Sequence, residues 1–143
     1  MIQIAIGAPG GYRRRDPTPS DIRSILEDPT NYGTTINDVG ITASNGLNGS
    51  IYRNLMYYLR AINEVTVIYE SKEMDDWIVI RNPLIEETGE RFEAMDQSGA
   101  FWKLSTRHLV NSERAIAAGI EFLENDGVIR DLTDWESFPD DFI

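Results

Sequence analysis

Apolar residues along this chain fall into short blocks whose spacing changes from one block to the next. Residues 2–6 (IQIAI) alternate weakly and are mostly strand formers, which predicts a short first strand ended by Gly7-Ala8-Pro9-Gly10-Gly11. Thr18-Pro19-Ser20-Asp21 then places a hydroxyl at an N-cap, a proline at the first helical position and a carboxylate three residues on. Ile22, Ile25 and Leu26 follow at helical spacing, and Pro29 ends the helix. Residues 30–50 are rich in Asn, Thr, Gly and Ser around Ile36, Val39 and Ile41, and read as an irregular connection holding at most one short strand. Residues 51–62 fit two patterns. Tyr52, Leu55, Met56, Leu59 and Ile62 have helical spacing, whereas Leu55-Met56-Tyr57-Tyr58-Leu59 suits a strand buried on both faces, and periodicity leaves both open.

The second half of the chain is more regular. EVTVIYE (64–70) and WIVIR (77–81) are β-branched and aromatic runs separated by polar residues, which predicts a hairpin. ERFEAM (90–95) and FWKLS (101–105) predict a second, and the linker between the two hairpins holds Glu86 and Glu87. From Ser112 to Glu124 the residues Ile116, Ile120 and Leu123 form an apolar stripe widened by Ala115 and Phe122. Asn111 stands at the N-cap and Gly127 past the end. The tail around Leu132-Thr133-Asp134-Trp135 alternates and is expected to close the sheet. With no internal repeat, residues 1–143 read as one α+β domain: a mainly antiparallel sheet carrying an N-terminal helix and a C-terminal amphipathic helix.

Charge changes the picture more than composition does. AVILMFWYC residues make up 41% of the chain and charged residues 26%, an ordinary globular balance, but the net charge is −11. Residues 1–60 hold five acids and six arginines, net +1, whereas residues 61–143 hold 19 acids and seven Lys or Arg, net −12. Phosphate backbones and anionic membranes repel such a chain, so neither nucleic acid nor membrane is expected as a direct partner. No apolar run is long enough for a membrane span, and Met1–Ile6 is too short for a signal-peptide core, so a cytoplasmic location is expected.

Candidate chemistry is sparse. The absence of cysteine excludes disulfides, thiolate metal sites and cysteine nucleophiles. The one histidine, His108, sits in no metal-ligand or nucleophile motif and reads as a structural or surface residue, so no metal and no cofactor are expected. The glycines at 7–11 are followed by no GK[ST] and no immediate helix, and read as a turn rather than a phosphate loop. Arg13-Arg14-Arg15 reads as a solvated basic run or a counter-charge to the acidic half. Asp75-Asp76 and Glu86-Glu87 are adjacent pairs without aspartic-protease or calcium-loop context. Together with Glu70, Glu73 and Glu90 they are the candidate contact surface for a basic partner, one that would raise association rates and weaken in salt.

Four residues carry a resemblance. Phe101-Trp102-Lys103-Leu104, Val110 to Ala115, Phe122 to Gly127 and Leu132-Thr133-Asp134-Trp135-Glu136 form an aromatic strand, a helix with Ala and Phe, a glycine just past it and a closing apolar-x-Trp-acid motif. This pattern, with Trp102, Phe122, Gly127 and Trp135 as its marks, resembles the C-terminal half of the first immunity-protein family of bacterial polymorphic toxin systems. The resemblance spans about residues 64–136. Where the family commonly has a proline shortly after the helix-ending glycine, this chain has Ile129-Arg130. The resemblance implies an α+β fold, a strand at 51–62, a structural role for Trp135, and a non-catalytic protein that binds and silences a cognate toxin. Such a toxin is often a nucleic-acid deaminase or nuclease-like domain with a basic substrate cleft. Two other readings compete: an acidic nucleic-acid mimic that blocks a defence nuclease, and a small hydrolase using carboxylates and His108.

Overall fold

The computed structural model describes residues 2–8, 11–32, 38–74, 77–85, 90–95 and 101–138. Among them are nine strands and two α-helices in the order β1 (Ile2–Ala8), β2 (Tyr12–Arg15), α1 (Pro19–Glu27), β3 (Asp38–Asn45), β4 (Ile51–Ala61), β5 (Glu64–Ser71), β6 (Ile78–Ile80), β7 (Arg91–Met95), β8 (Phe101–Ser105), α2 (Ser112–Glu124) and β9 (Trp135–Ser137). Seven strands form one antiparallel sheet in the order β2-β1-β3-β4-β5-β6-β9. β7 and β8 pair only with each other.

Strand alternation sorts the side chains onto two faces. Val39 and Ile41 of β3, Leu55 and Tyr57 of β4, and Val67 and Tyr69 of β5 point to one side and join Ile22, Leu26, Ile116 and Phe122 of the helices in a single core. Tyr58, Ile68 and Val79 point to the other side and meet Ala94, Trp102 and Leu104 of the β7–β8 hairpin. The molecule is thus layered as helices, sheet and a hairpin that covers part of the second face.

The α1 start is as expected. Thr18 and Asp21 form a reciprocal capping box, with Thr18 N–H donating to the Asp21 carboxylate at 2.7 Å and Asp21 N–H to the Thr18 hydroxyl at 3.2 Å. Asn111 caps α2 by accepting from Arg114 N–H at 2.8 Å. The helices are joined by Arg23, which donates to Glu113 at 2.6 Å and to Glu27 at 2.8 Å. Ala115, Ala118 and Gly119 keep the buried side of α2 small, so the helix lies close to the sheet. A Cβ on Gly119 would collide with the Tyr57 hydroxyl and the Ile22 side chain. That hydroxyl, fully buried, donates to the Ala115 carbonyl at 2.8 Å.

Several expectations are corrected. Residues 30–50 hold not one short strand at most but β3, an eight-residue strand between β1 and β4. Arg13-Arg14-Arg15 is exposed, as a solvated basic run should be, but it is also strand, belonging to β2, an edge strand hydrogen-bonded to β1 with Ala8 opposite Tyr12. The first helix therefore follows two strands rather than one. Residues 51–61 form a strand, as the resemblance implied. The second hairpin forms, but as a separate layer and not as part of the main sheet. The tail does close the sheet, though only Trp135–Ser137 pairs, against β6.

Candidate functional site

The expected acidic surface is placed only in part. Asp75, Asp76, Glu86 and Glu87 lie outside the described residues. Glu70, on β5 opposite Asn54, belongs to the face away from the helices. Glu73, in the turn after β5, reaches the other way: its carboxylate accepts from Arg53 at 2.5 Å and from the Ser71 hydroxyl. These bonds, Ser71's first and Arg53's second, hold its pKa below the ordinary carboxylate value. Arg53 also donates to the Asp126 carbonyl at 3.1 Å, so the pair fastens β4 to the loop after α2. Glu90 is exposed at the start of β7.

Glu124, Asp126 and Asp134 are exposed at the end of α2 and in the loop that follows, and among the described residues none of their carboxylates is in an ion pair. Asp16 approaches Asp126 across a shallow depression that also touches Leu123. Asp131 in the same loop caps its own turn, accepting from Thr133 N–H at 3.1 Å and its hydroxyl at 2.6 Å. Sequence reasoning passed over these residues because it weighted acids by adjacency in the chain. The signal was the acid spacing in ENDGVIRDLTD (124–134), which puts a charge at almost every turn of a loop.

Three of the four residues that carried the resemblance converge on one side chain. The Tyr69 ring meets Phe122 edge-on at 6.3 Å between centroids and Trp135 edge-on at 6.1 Å, and its hydroxyl donates to the Gly127 carbonyl at 2.7 Å. Gly127 sits at φ +86°, and its N–H donates to the Phe122 carbonyl at 2.8 Å, closing α2. Trp102 belongs elsewhere. It lies across the sheet in the hairpin layer, stacked on Trp77 at 5.2 Å. Tyr69 was legible as the inward residue of the Val65, Val67, Tyr69 alternation, but its partners lie far along the chain.

His108 is buried, 1% exposed, and its Nε2 lies 2.7 Å from Glu136 Oε1 on β9. Arg107 grips the same carboxylate twice, from Nε at 2.9 Å and Nη2 at 3.1 Å. The trio fastens the turn after β8 to the closing strand. Burial pushes the His108 pKa below the ordinary imidazole value of 6.5, helped by the charges of Arg107 and Arg91, while Glu136 opposes this. For Glu136 burial acts upward, but the hydrogen bonds from Arg107 and His108 outweigh it and hold the carboxyl below its usual range.

Both shifts have the same sign for stability. The unfolded chain takes up protons first, so stability is full above pH 6.5 and falls as pH drops through the folded His108 value, then further as Glu136 titrates. The melting temperature is therefore expected to fall between about pH 7.5 and about pH 5.5, and His108→Gln is expected to shrink that fall. A drop of the same size in the variant would assign it to other groups.

Among the described residues no three His, Asp or Glu gather in a metal-ligand arrangement, and no helix is long and apolar enough to cross a membrane. No protein-family model matches the chain, and no curated protein matches its sequence.

Proposed function

We propose that this chain is a non-catalytic immunity protein that binds a cognate toxin domain and neutralises it by occluding a basic, nucleic-acid-binding cleft. One observation carries the reading. Phe122, Gly127 and Trp135, picked out by their resemblance to the immunity family, form one packing unit around Tyr69 rather than scattering over the molecule. A motif that defines a fold by its core has this arrangement, and it leaves the surface free to follow a varying partner.

Charge supports the same reading. Among the described residues the carboxylates of Glu124, Asp126 and Asp134 are in no ion pair, and residues 61–143 are net −12 from 19 acids and seven bases. Carboxylates held in this way substitute for phosphates in a cleft built to grip nucleic acid, and they speed encounter with it. His108, the histidine of the hydrolase alternative, is 1% exposed and its Nε2 lies 2.7 Å from Glu136.

The test is co-expression with the toxin domain encoded beside this gene. Restored growth and a one-to-one complex are expected, with an association rate that falls as salt is added. Charge reversal at Asp126 and Asp134 is expected to slow association by about tenfold and to flatten its salt dependence, since rim charges act mainly on the on-rate. Lack of both complex and protection would sink the proposal.

A further inference from the structure

The β7–β8 hairpin covers β4, β5 and β6 but not the strands beyond them. On that uncovered half of the sheet the residues facing outward are small: Ala5 and Gly7 on β1, Gly40 and Thr42 on β3. They floor a hollow of about 560 Å³ with Met56 at its inner wall. Its outer wall is β2. Arg13 stands opposite Gly7 and Arg15 opposite Ala5, so these two side chains share the floor's face, and a Cβ on Gly7 would lie 3.8 Å from the Arg13 guanidinium. Arg14 alternates to the helix side and pairs with Asp21 at 3.2 Å. Among the described residues neither Arg13 nor Arg15 is in an ion pair.

A second hollow, about 470 Å³, continues the first through Asn54 and runs over β5 toward Trp77, past Tyr52 and Glu70. Four interstrand steps separate β2 from β5, which makes a trough roughly 19 Å long crossing the strands. That length suits about six extended residues and is too long for one compact small molecule.

We infer that this trough takes an extended segment of a partner protein, with acidic side chains on Arg13 and Arg15. Charge selects a protein segment over nucleic acid, because the chain as a whole is net −11 and repels a phosphate backbone. Asp38, Glu70, Arg53 and Lys72 also line the trough, and a segment acidic at one end and neutral at the other meets Arg13 and Arg15 and avoids the two acids. The inference stands apart from the toxin reading, whose exposed acids follow α2.

The test is a titration of the ¹⁵N-labelled full chain, followed by NMR, with a hexapeptide of two glutamates followed by neutral residues. Controls are the same peptide carrying glutamines, inorganic phosphate, and hexathymidylate. The acidic peptide is expected to shift the backbone amides of Gly7, Gly40 and Thr42 and the side-chain amide of Asn54. It should bind about tenfold more tightly than the glutamine peptide, as expected when two charge pairs are removed. Arg13→Glu with Arg15→Glu should abolish the shifts while the rest of the spectrum stays folded, and Arg130→Glu, outside the trough, should retain them. Equal or stronger shifts from phosphate or hexathymidylate would overturn the inference, as would shifts confined to the helix side or none at all.

Discussion

Truncating Phe122 to alanine is expected to destabilise the protein by about 3–5 kcal/mol, the range for removing a large aromatic side chain from a closed core. The ring is fully buried, lies edge-on to Tyr69, and comes from the last turns of a helix whose other core residues are mostly small. Ala115, Ala118 and Gly119 cannot move in to fill the space, because α2 already lies against the Tyr57 hydroxyl. The cavity should therefore persist. With typical domain stabilities of about 5–15 kcal/mol, a loss of this size shifts the urea midpoint strongly with little change in slope. A loss below about 1.5 kcal/mol would mean that the helix collapses onto the sheet, and that the Tyr69 cluster is looser than its geometry implies.

Gly127→Ala is expected to cost about 2–5 kcal/mol, from two separable sources. The backbone is at φ +86°, where an L side chain costs on the order of 1–2 kcal/mol. The new Cβ would also stand 2.7 Å from the Ala43 Cβ and 3.2 Å from Arg53, an overpacking penalty of about 1–3 kcal/mol. A double-mutant cycle with Ala43→Gly divides them, since removing the facing methyl relieves the contact and leaves the backbone strain. Coupling between the two changes is the expected result. Strict additivity would place the whole effect in the backbone.

What could be read from the chain depended on whether neighbours in sequence decided the structure. The α1 cap was legible because Thr18, Pro19 and Asp21 act within one turn. α2 and the two hairpins were legible for the same reason. β3 was not. Its inward residues Val39, Ile41 and Ala43 alternate properly, but its outward residues Gly40, Thr42 and Ser44 are small, the first two flooring an open trough, so the segment has the composition of a loop. β2 was hidden by its exposure: every residue of Tyr12–Arg15 faces water on one side or the other, and only its pairing with β1 makes it a strand. In β4, Tyr57 meets the helices while Tyr58 meets Trp102, so burial on both faces erased the periodicity.

Charge was legible in amount and not in placement. The sequence put Glu73 among surface acids, but Arg53, well separated from it in the chain, draws it into a fastening. Glu136 is spent in the same way on Arg107 and His108. Arg13 and Arg15 read as solvated and are exposed; what the chain alone does not show is that the alternation of β2 separates them from Arg14 and lays them along a hollow.

The order of strands in the main sheet also fixes when each can form. From β3 to β6 each strand pairs with the next one to leave the ribosome, so this part of the sheet can grow by local hairpin closure as the chain emerges. β6 must then wait. Its outer partner, β9, arrives only after the second hairpin and α2 have been made. Until Trp135–Ser137 dock, β6 offers an unpaired edge and Tyr69 lacks one of its two aromatic neighbours, so the nascent chain passes through a stage open to association with other strands. The Arg107–His108–Glu136 fastening is made at that closing step.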